Sequence, residues 1–253
     1  MEELKRHIET IINNTFLSID NVYKENQETR DSKGNPTGLY CPKTSRLFFP
    51  KYRDSEKKKG SKKKDTIRIS EQELRFLFIE EFNKYIDSYN KENHDKPLEY
   101  YYSIETPTEK KYVFKDNPKR CCPDTDNEGV SAQFDLVISD KNKNRVCLIE
   151  FKNNSRSTGG EHEKDFLKLS VEGEGKLCYF ISIAQASNSD TIDGIIKKLN
   201  SSRGNKNICL TSITYICHCL NNRGKKEKKG FDTIYDGITL GVFGWQKCNI
   251  YNL

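Results

Sequence analysis

The sequence predicts an α/β domain, and three stretches carry that reading. Residues 70–85 have the pattern of an amphipathic helix. Residues 134–138 and 146–151 are two short apolar runs separated by the polar segment 139–145, which is the pattern of a β-hairpin. Residues 177–183 (LCYFISI) form a nearly continuous apolar run, as expected of a strand covered on both faces. At 253 residues the chain suffices for one large domain, or for one domain with an N-terminal addition.

The elements follow in order. Residues 3–25 read as an amphipathic helix, with Leu4, Ile8, Ile11, Ile12 and Phe16 at helical spacing. A loop at 31–36 (DSKGNP) leads to Leu47, Phe48, Phe49 and Tyr52, a short strand or hairpin. Residues 1–65 are thus read as a helical and hairpin extension without chemistry of its own, and 66–253 as the core unit. The run 57–64 (KKKGSKKK) and a second basic run at 223–229 are either solvated loops or arms that lie on a phosphate backbone.

Ser70-Glu71-Gln72-Glu73 is a capping box, and Leu74, Leu77, Phe78, Phe82 and Tyr85 form the apolar stripe of the helix it opens. Glu80 points away from that stripe, and Glu81 lies on its flank. Residues 98–104 and 111–114 read as strands, 121–129 as a loop, 161–171 as a helix, 190–199 as a further helix, and 207–220 and 233–243 as later strands. Cys217-His218-Cys219 does not read as a zinc site, because successive strand residues point to opposite faces and no partner pair lies at ligand spacing. Cys121-Cys122 reads as structural.

Composition narrows the class. Hydrophobic residues make up 34% and charged residues 32%, at the polar end of globular chains, and the net charge of +6 suits a polyanionic partner. Met1 is followed by EELKRHIE and no stretch approaches about 18 apolar residues, so neither a secretory signal nor a membrane span is expected. Nine cysteines without a CxxC framework fit a cytoplasmic protein.

The hairpin carries a conflict. Asp135 lies in its first apolar run, and Glu150 and Lys152 lie in and just after the second. A buried carboxylate that loses its partner costs about 3–5 kcal/mol, so such charges need a reason. If the turn centres on residues 141–144, Asp135 and Glu150 become cross-strand neighbours with Cβ atoms about 5 Å apart. Alternation then puts Glu150 and Lys152 on one face and Ile149 and Phe151 on the other. Two opposed carboxylates repel, and a divalent cation with hard oxygen ligands relieves them. A nearby lysine can orient a metal-bound water or offset phosphate charge. One residue of slip would separate the pair.

Asp135 on one strand, followed by Glu150-Phe151-Lys152 on the next, resembles the PD-(D/E)XK nuclease superfamily, the fold of many restriction endonucleases and of phage and repair nucleases. The likeness extends as an order of elements over residues 70–219, helix, strand, strand, strand, helix, strand; the specific motif covers only the hairpin. Phe134 stands where the family often has proline, and Pro123-Asp124 sits in a polar run with no strand around it. The resemblance implies a restriction endonuclease-like core, a central mixed β-sheet flanked by helices. It implies a Mg²⁺ (or Mn²⁺) ion held by Asp135 and Glu150, with the Phe151 carbonyl as a further ligand and Lys152 positioning or activating the nucleophile. A glutamate from the first core helix would stand near the metal, with Glu81 the candidate and Glu73 the next. Asn153, Arg156, His162 and Lys168 would reach phosphates. The implied partner is nucleic acid, DNA before RNA, cut by an endonuclease of restriction or defence type; a membrane is not a partner, and a homodimer is left open. Two other readings stand beside it: a silent nucleic-acid-binding module on the same fold, and an α/β scaffold whose hairpin charges form a structural salt-bridge cluster.

Overall fold

A computed structural model describes residues 1–24, 28–40, 45–52, 66–67, 69–114, 121–123, 129–153, 160–184, 213–219 and 248–249. Two amphipathic helices, α1 (Glu2–Lys24) and α2 (Glu71–Glu92), pack together. The capping box forms in both directions. Ser70 Oγ accepts from the Glu73 N–H at 3.4 Å, and the Glu73 carboxylate accepts from the Ser70 N–H at 2.6 Å. Between the helices, β1 (Glu28–Arg30), β2 (Pro36–Tyr40), β3 (Phe49–Tyr52) and β4 (Thr66–Ile67) make a small antiparallel sheet in that order. Its first turn is tightened by Asp31, whose carboxylate accepts from the Lys33 and Asn35 N–H groups, and by Gly34 at φ +81°.

The main sheet contains β5 (Tyr101–Phe114), β6 (Cys121–Pro123), β7 (Val130–Ser139), β8 (Arg145–Asn153), β9 (Leu177–Ala184), β10 (Ile213–Cys219) and β11 (Cys248–Asn249). Their spatial order is β11-β10-β9-β8-β7-β5-β6. β5, β7 and β8 run antiparallel, whereas β8, β9 and β10 run parallel, so the sheet is mixed. The helix α3 (Gly160–Glu172) makes the crossover from β8 to β9.

Helices cover both faces. On one, Ile8, Ile12 and Phe16 of α1 and Leu77 and Phe78 of α2 share a core with Leu136, Ile149, Phe151 and Ile181. Phe78 meets Phe151 edge to face at 5.6 Å. On the other, Phe166 of α3 stacks on Phe180 at 4.8 Å. β9 is therefore buried on both sides, which is why residues 178–183 lack polar–apolar alternation. α1 joins the same core as the sheet, so the N-terminal helix is a layer of this fold.

Several expectations differ in detail. The strands expected at 98–104 and 111–114 are one strand, β5, which starts at Tyr101 and has an irregularity between Pro107 and Lys111. Thr108 carries the strand across that break, accepting from the Ala132 N–H at 2.9 Å. The buried Glu172 carboxylate, at the end of α3, accepts from the Glu109 and Lys110 N–H groups at 3.0 and 2.9 Å and from the Tyr112 hydroxyl at 3.2 Å. Continuity of β5 thus depends on a helix residue that follows its partners by 60 residues or more, which no local pattern reveals. Glu172→Ala is expected to lower the unfolding free energy by about 2 kcal/mol, read from urea denaturation, because these donors lose a shared acceptor. The expected loop at 121–129 contains β6, and β10 is the described part of the strand expected at 207–220. Cys217, His218 and Cys219 occupy consecutive positions of β10, paired with Ser182, Ile183 and Ala184. The basic runs at 57–64 and 223–229, the helix at 190–199 and the strand at 233–243 lie outside the described residues. No described helix is long and apolar enough to cross a membrane.

Candidate functional site

The site begins with strand register. β7 and β8 pair Leu136 with Ile149, Val137 with Leu148 and Ile138 with Cys147, so the next step of the same register sets Asp135 opposite Glu150. The turn itself spans Asp140–Asn144, closed by the Asp140 carboxylate accepting from the Asn142 and Asn144 N–H groups at 2.9 Å each. Lys143 adopts φ +67° there. A register continued from Ser139 and Arg145 would have put the two carboxylates on opposite faces. A bulge between Ile138 and Ser139 absorbs that residue and restores the pairing.

Beyond Leu136 and Ile149 a side chain replaces the backbone ladder. Asp135 Oδ2 accepts from the Phe151 N–H at 2.7 Å, and Arg75 Nη1 of α2 lies 3.8 Å from Asp135 Oδ1. In a strand the N–H and C=O of one residue point to the same side, so the Phe151 carbonyl faces β7 as well. Asp135 is partly exposed, whereas Glu150 is only 2% exposed. The row extends to β5: Ile104 pairs with Leu136 and Thr106 with Phe134, which places Glu105 opposite Asp135. Glu105 adopts φ +48°, a left-handed conformation that costs a residue with a Cβ about 1 kcal/mol, and its carboxylate is ion-paired to Arg75.

A chain of charges links the strands to α3 and α2. Lys168, 2% exposed, donates to Glu150 Oε1 at 2.6 Å and to the Gln133 carbonyl at 2.6 Å, and lies 3.0 Å from Asp165 Oδ1. The other Asp165 oxygen is 3.1 Å from Lys152 Nζ, which also donates to Glu71 Oε1 at 3.1 Å. Burial, joined by the charge of Asp165, pushes the Glu150 carboxyl well above the usual range while Lys168 opposes it. Burial pulls Lys168 down, but Glu150 and Asp165 outweigh it and the ammonium is pushed up to about 12. Asp165 is held below its ordinary value because Lys168 and Lys152 overcome the effect of burial. Lys152 is raised by Asp165 and Glu71 against burial, so as paired here it is an ammonium, a donor and not a proton acceptor. Burial raises Glu71 in spite of Lys152.

Of the residues singled out from sequence, Asp135, Glu150, Phe151, Lys152 and Lys168 come together. Asn153 follows on β8 and donates to the Ile69 carbonyl just ahead of α2, a brace between strand and helix. Glu81 is elsewhere. It is buried between the two N-terminal helices, accepting from Ser18 Oγ at 3.2 Å and Lys84 Nζ at 3.0 Å, and Glu73 is used by the helix cap. The acid that α2 contributes is Glu71, because the first turn of that helix, not its middle, abuts the ends of β7 and β8. His162 lies in the first turn of α3, and Arg156 lies outside the described residues. Sequence reasoning passed over Asp165, Glu71, Arg75 and Glu105. Asp165 had a signal, since it stands three residues before Lys168 and so on the same helix face.

Compared with protein-family models, with curated proteins and with solved structures, the chain has no match in any of the three. The site rests on its own geometry.

The donor atoms are of the kind a hard divalent cation takes. Asp135 and Glu150 offer oxygen alone, and one or two carboxylates completed by water is the usual Mg²⁺ arrangement. Among the described residues no group of three or more His, Cys, Asp or Glu has a metal-binding arrangement, so carbonyl and water ligands would complete the shell. Lys168 engages only Oε1 of Glu150. Asp165 and Asp135 also disfavour the charge of Glu150, which an added cation relieves.

Proposed function

We propose that this chain is a metal-dependent nuclease of the PD-(D/E)XK type that hydrolyses phosphodiester bonds, with DNA as its polymer. The observation that carries this reading is the β7–β8 register, which sets Asp135 beside Glu150 and brings Lys152 to the same face at the strand end. The order α2-β5-β7-β8-α3-β9, interrupted only by the three-residue β6 among the described residues and with β8 and β9 parallel, supports the restriction endonuclease-like core. The net charge of +6 supports a polyanionic substrate. DNA over RNA, internal over terminal cutting, and a restriction or defence role follow from the family likeness alone.

Asp135 and Glu150 would hold Mg²⁺ or Mn²⁺, with the Phe151 carbonyl as a further ligand. When bound, the metal lowers the pKa of a water and offsets charge on the phosphate. The protein's own residues do the rest. The Phe151 N–H fixes the Asp135 carboxylate before any ligand arrives, so no reorganisation is needed at the moment of reaction. Lys152, oriented by Asp165 and Glu71, presents an ammonium that orients a water or stabilises phosphate charge. Lys168 braces Glu150 from the buried side.

The test is cleavage of supercoiled plasmid, single-stranded DNA and RNA in Mg²⁺, Mn²⁺ or EDTA, with Lys152→Ala beside the wild type. Cutting of DNA that stops in EDTA and in the variant is the expected result. One observation favours a second reading, an α/β scaffold whose hairpin charges form a structural salt-bridge cluster: Lys168 pairs with Glu150 and Asp165, and Asp165 pairs with Lys152. Neither binding nor cutting of DNA or RNA in any metal would select that scaffold over the nuclease, whereas DNA binding in EDTA without cutting in any metal would select a silent nucleic-acid-binding module.

A further inference from the structure

Arg75 has an unusual balance of partners. It is 6% exposed, yet its guanidinium holds the half-exposed carboxylate of Glu105, donates to the Gln72 side-chain oxygen, and lies 3.8 Å from Asp135. Its Nε–H is buried and has no acceptor among the described residues. The fixed partner is Arg75, buried on a capped helix. Glu105 is the releasable one, exposed on β5, in a left-handed conformation and opposite another carboxylate in the sheet register. Like charges across a strand pair repel, so Glu105 gains by leaving: its backbone can relax and it moves away from Asp135. The guanidinium fork that binds a carboxylate binds a phosphate equally well.

We infer that Arg75 anchors a phosphate-binding site beside Asp135, and that Glu105 fills it as an internal stand-in which a phosphate of the nucleic acid displaces. The identity of the polymer rests on the nuclease reading; the anion site itself does not. The arrangement makes Glu105 a built-in competitor, weakening non-productive binding, and it makes Arg75 a positioning residue that seats the phosphate next to the paired carboxylates.

The experiment is fluorescence anisotropy of labelled single-stranded and duplex oligonucleotides, with and without a 5′-phosphate, in EDTA so that nothing is cut. Wild type, Glu105→Gln, Arg75→Met and the double variant are compared across a salt series. Glu105→Gln is expected to bind about fivefold tighter, the scale of a half-exposed ion pair, and to steepen the salt dependence by about one counterion. Arg75→Met is expected to abolish that gain in the double variant. Equal gains with and without the 5′-phosphate assign the site to a backbone phosphate, and a gain confined to phosphorylated strands assigns it to a strand end. Unchanged or weaker binding by Glu105→Gln would overturn the inference. So would a gain that persists without Arg75, since it would reflect long-range charge alone. If Arg75→Met does not fold, as judged by thermal melting, Arg75→Lys replaces it, keeping the charge without the fork. Binding in EDTA is independent of cutting, so a protein that never cleaves sinks the nuclease reading and leaves this result readable.

Discussion

Lys168→Met is expected to lower the free energy of unfolding at neutral pH by about 3–5 kcal/mol, read from denaturant titration, because it strands two buried carboxylates. Lys168 is the only residue described as contacting both Glu150 and Asp165, and methionine replaces its length without its charge. The pH dependence follows from the direction of each shift. Asp165 is held below its ordinary value in the native state, so its contribution is present above that value and is lost as pH falls through the native one. Glu150 is raised, so its contribution is present at low pH and is lost as pH rises through the raised value. Lys168 contributes below its ordinary value and loses that contribution as pH rises through about 12. Without Lys168 both carboxyls move up. The deficit is therefore largest at neutral pH and shrinks in acid, once pH falls through the lowered native value of Asp165 and both groups are protonated. A deficit independent of pH would mean that lost packing against the Phe134 ring, 5.5 Å from the ammonium, matters more than charge.

The second large effect concerns chemistry instead of stability. Asp135→Asn is expected to reduce phosphodiester cleavage at least about a hundredfold while shifting stability by no more than about 1 kcal/mol. The amide oxygen of asparagine can still accept the Phe151 N–H, so the strand ends stay joined, but the charge that would hold a cation is gone. Removing the Asp135 charge, which disfavours that of Glu150, also offsets the weaker contact with Arg75. If the hairpin charges were a structural cluster, the same substitution would leave any activity alone and lower the melting temperature. Activity and melting measured on one preparation separate the two cases.

Part of this was written in local pattern. The hairpin, its charged positions and the pairing of Asp135 with Glu150 were legible because strand alternation and a short turn constrain neighbours within a few residues. The capped start of α2 and the doubly buried β9 were legible for the same reason. The turn is instructive: its residues were read one position off, yet the register held because a bulge absorbed the difference. Glu81 shows the limit. Periodicity placed it on the flank of α2's buried stripe, where it is indeed buried, but gave no way to know that this part of the stripe faces α1 and not the strand ends.

What the sequence alone determined is the helix α2, the β7–β8 hairpin, α3 and β9, together with the two carboxylates and their lysine, since each depends on spacing along one element or two adjacent strands. The tertiary structure decided which groups answer them. Lys152 meets Glu71 from 81 residues away, Arg75 meets Glu105 from 30, and Lys168 reaches Glu150 only because α3 crosses back over the sheet. Coulomb attraction and burial depend on distance in space, and a periodic pattern encodes distance only within a single element.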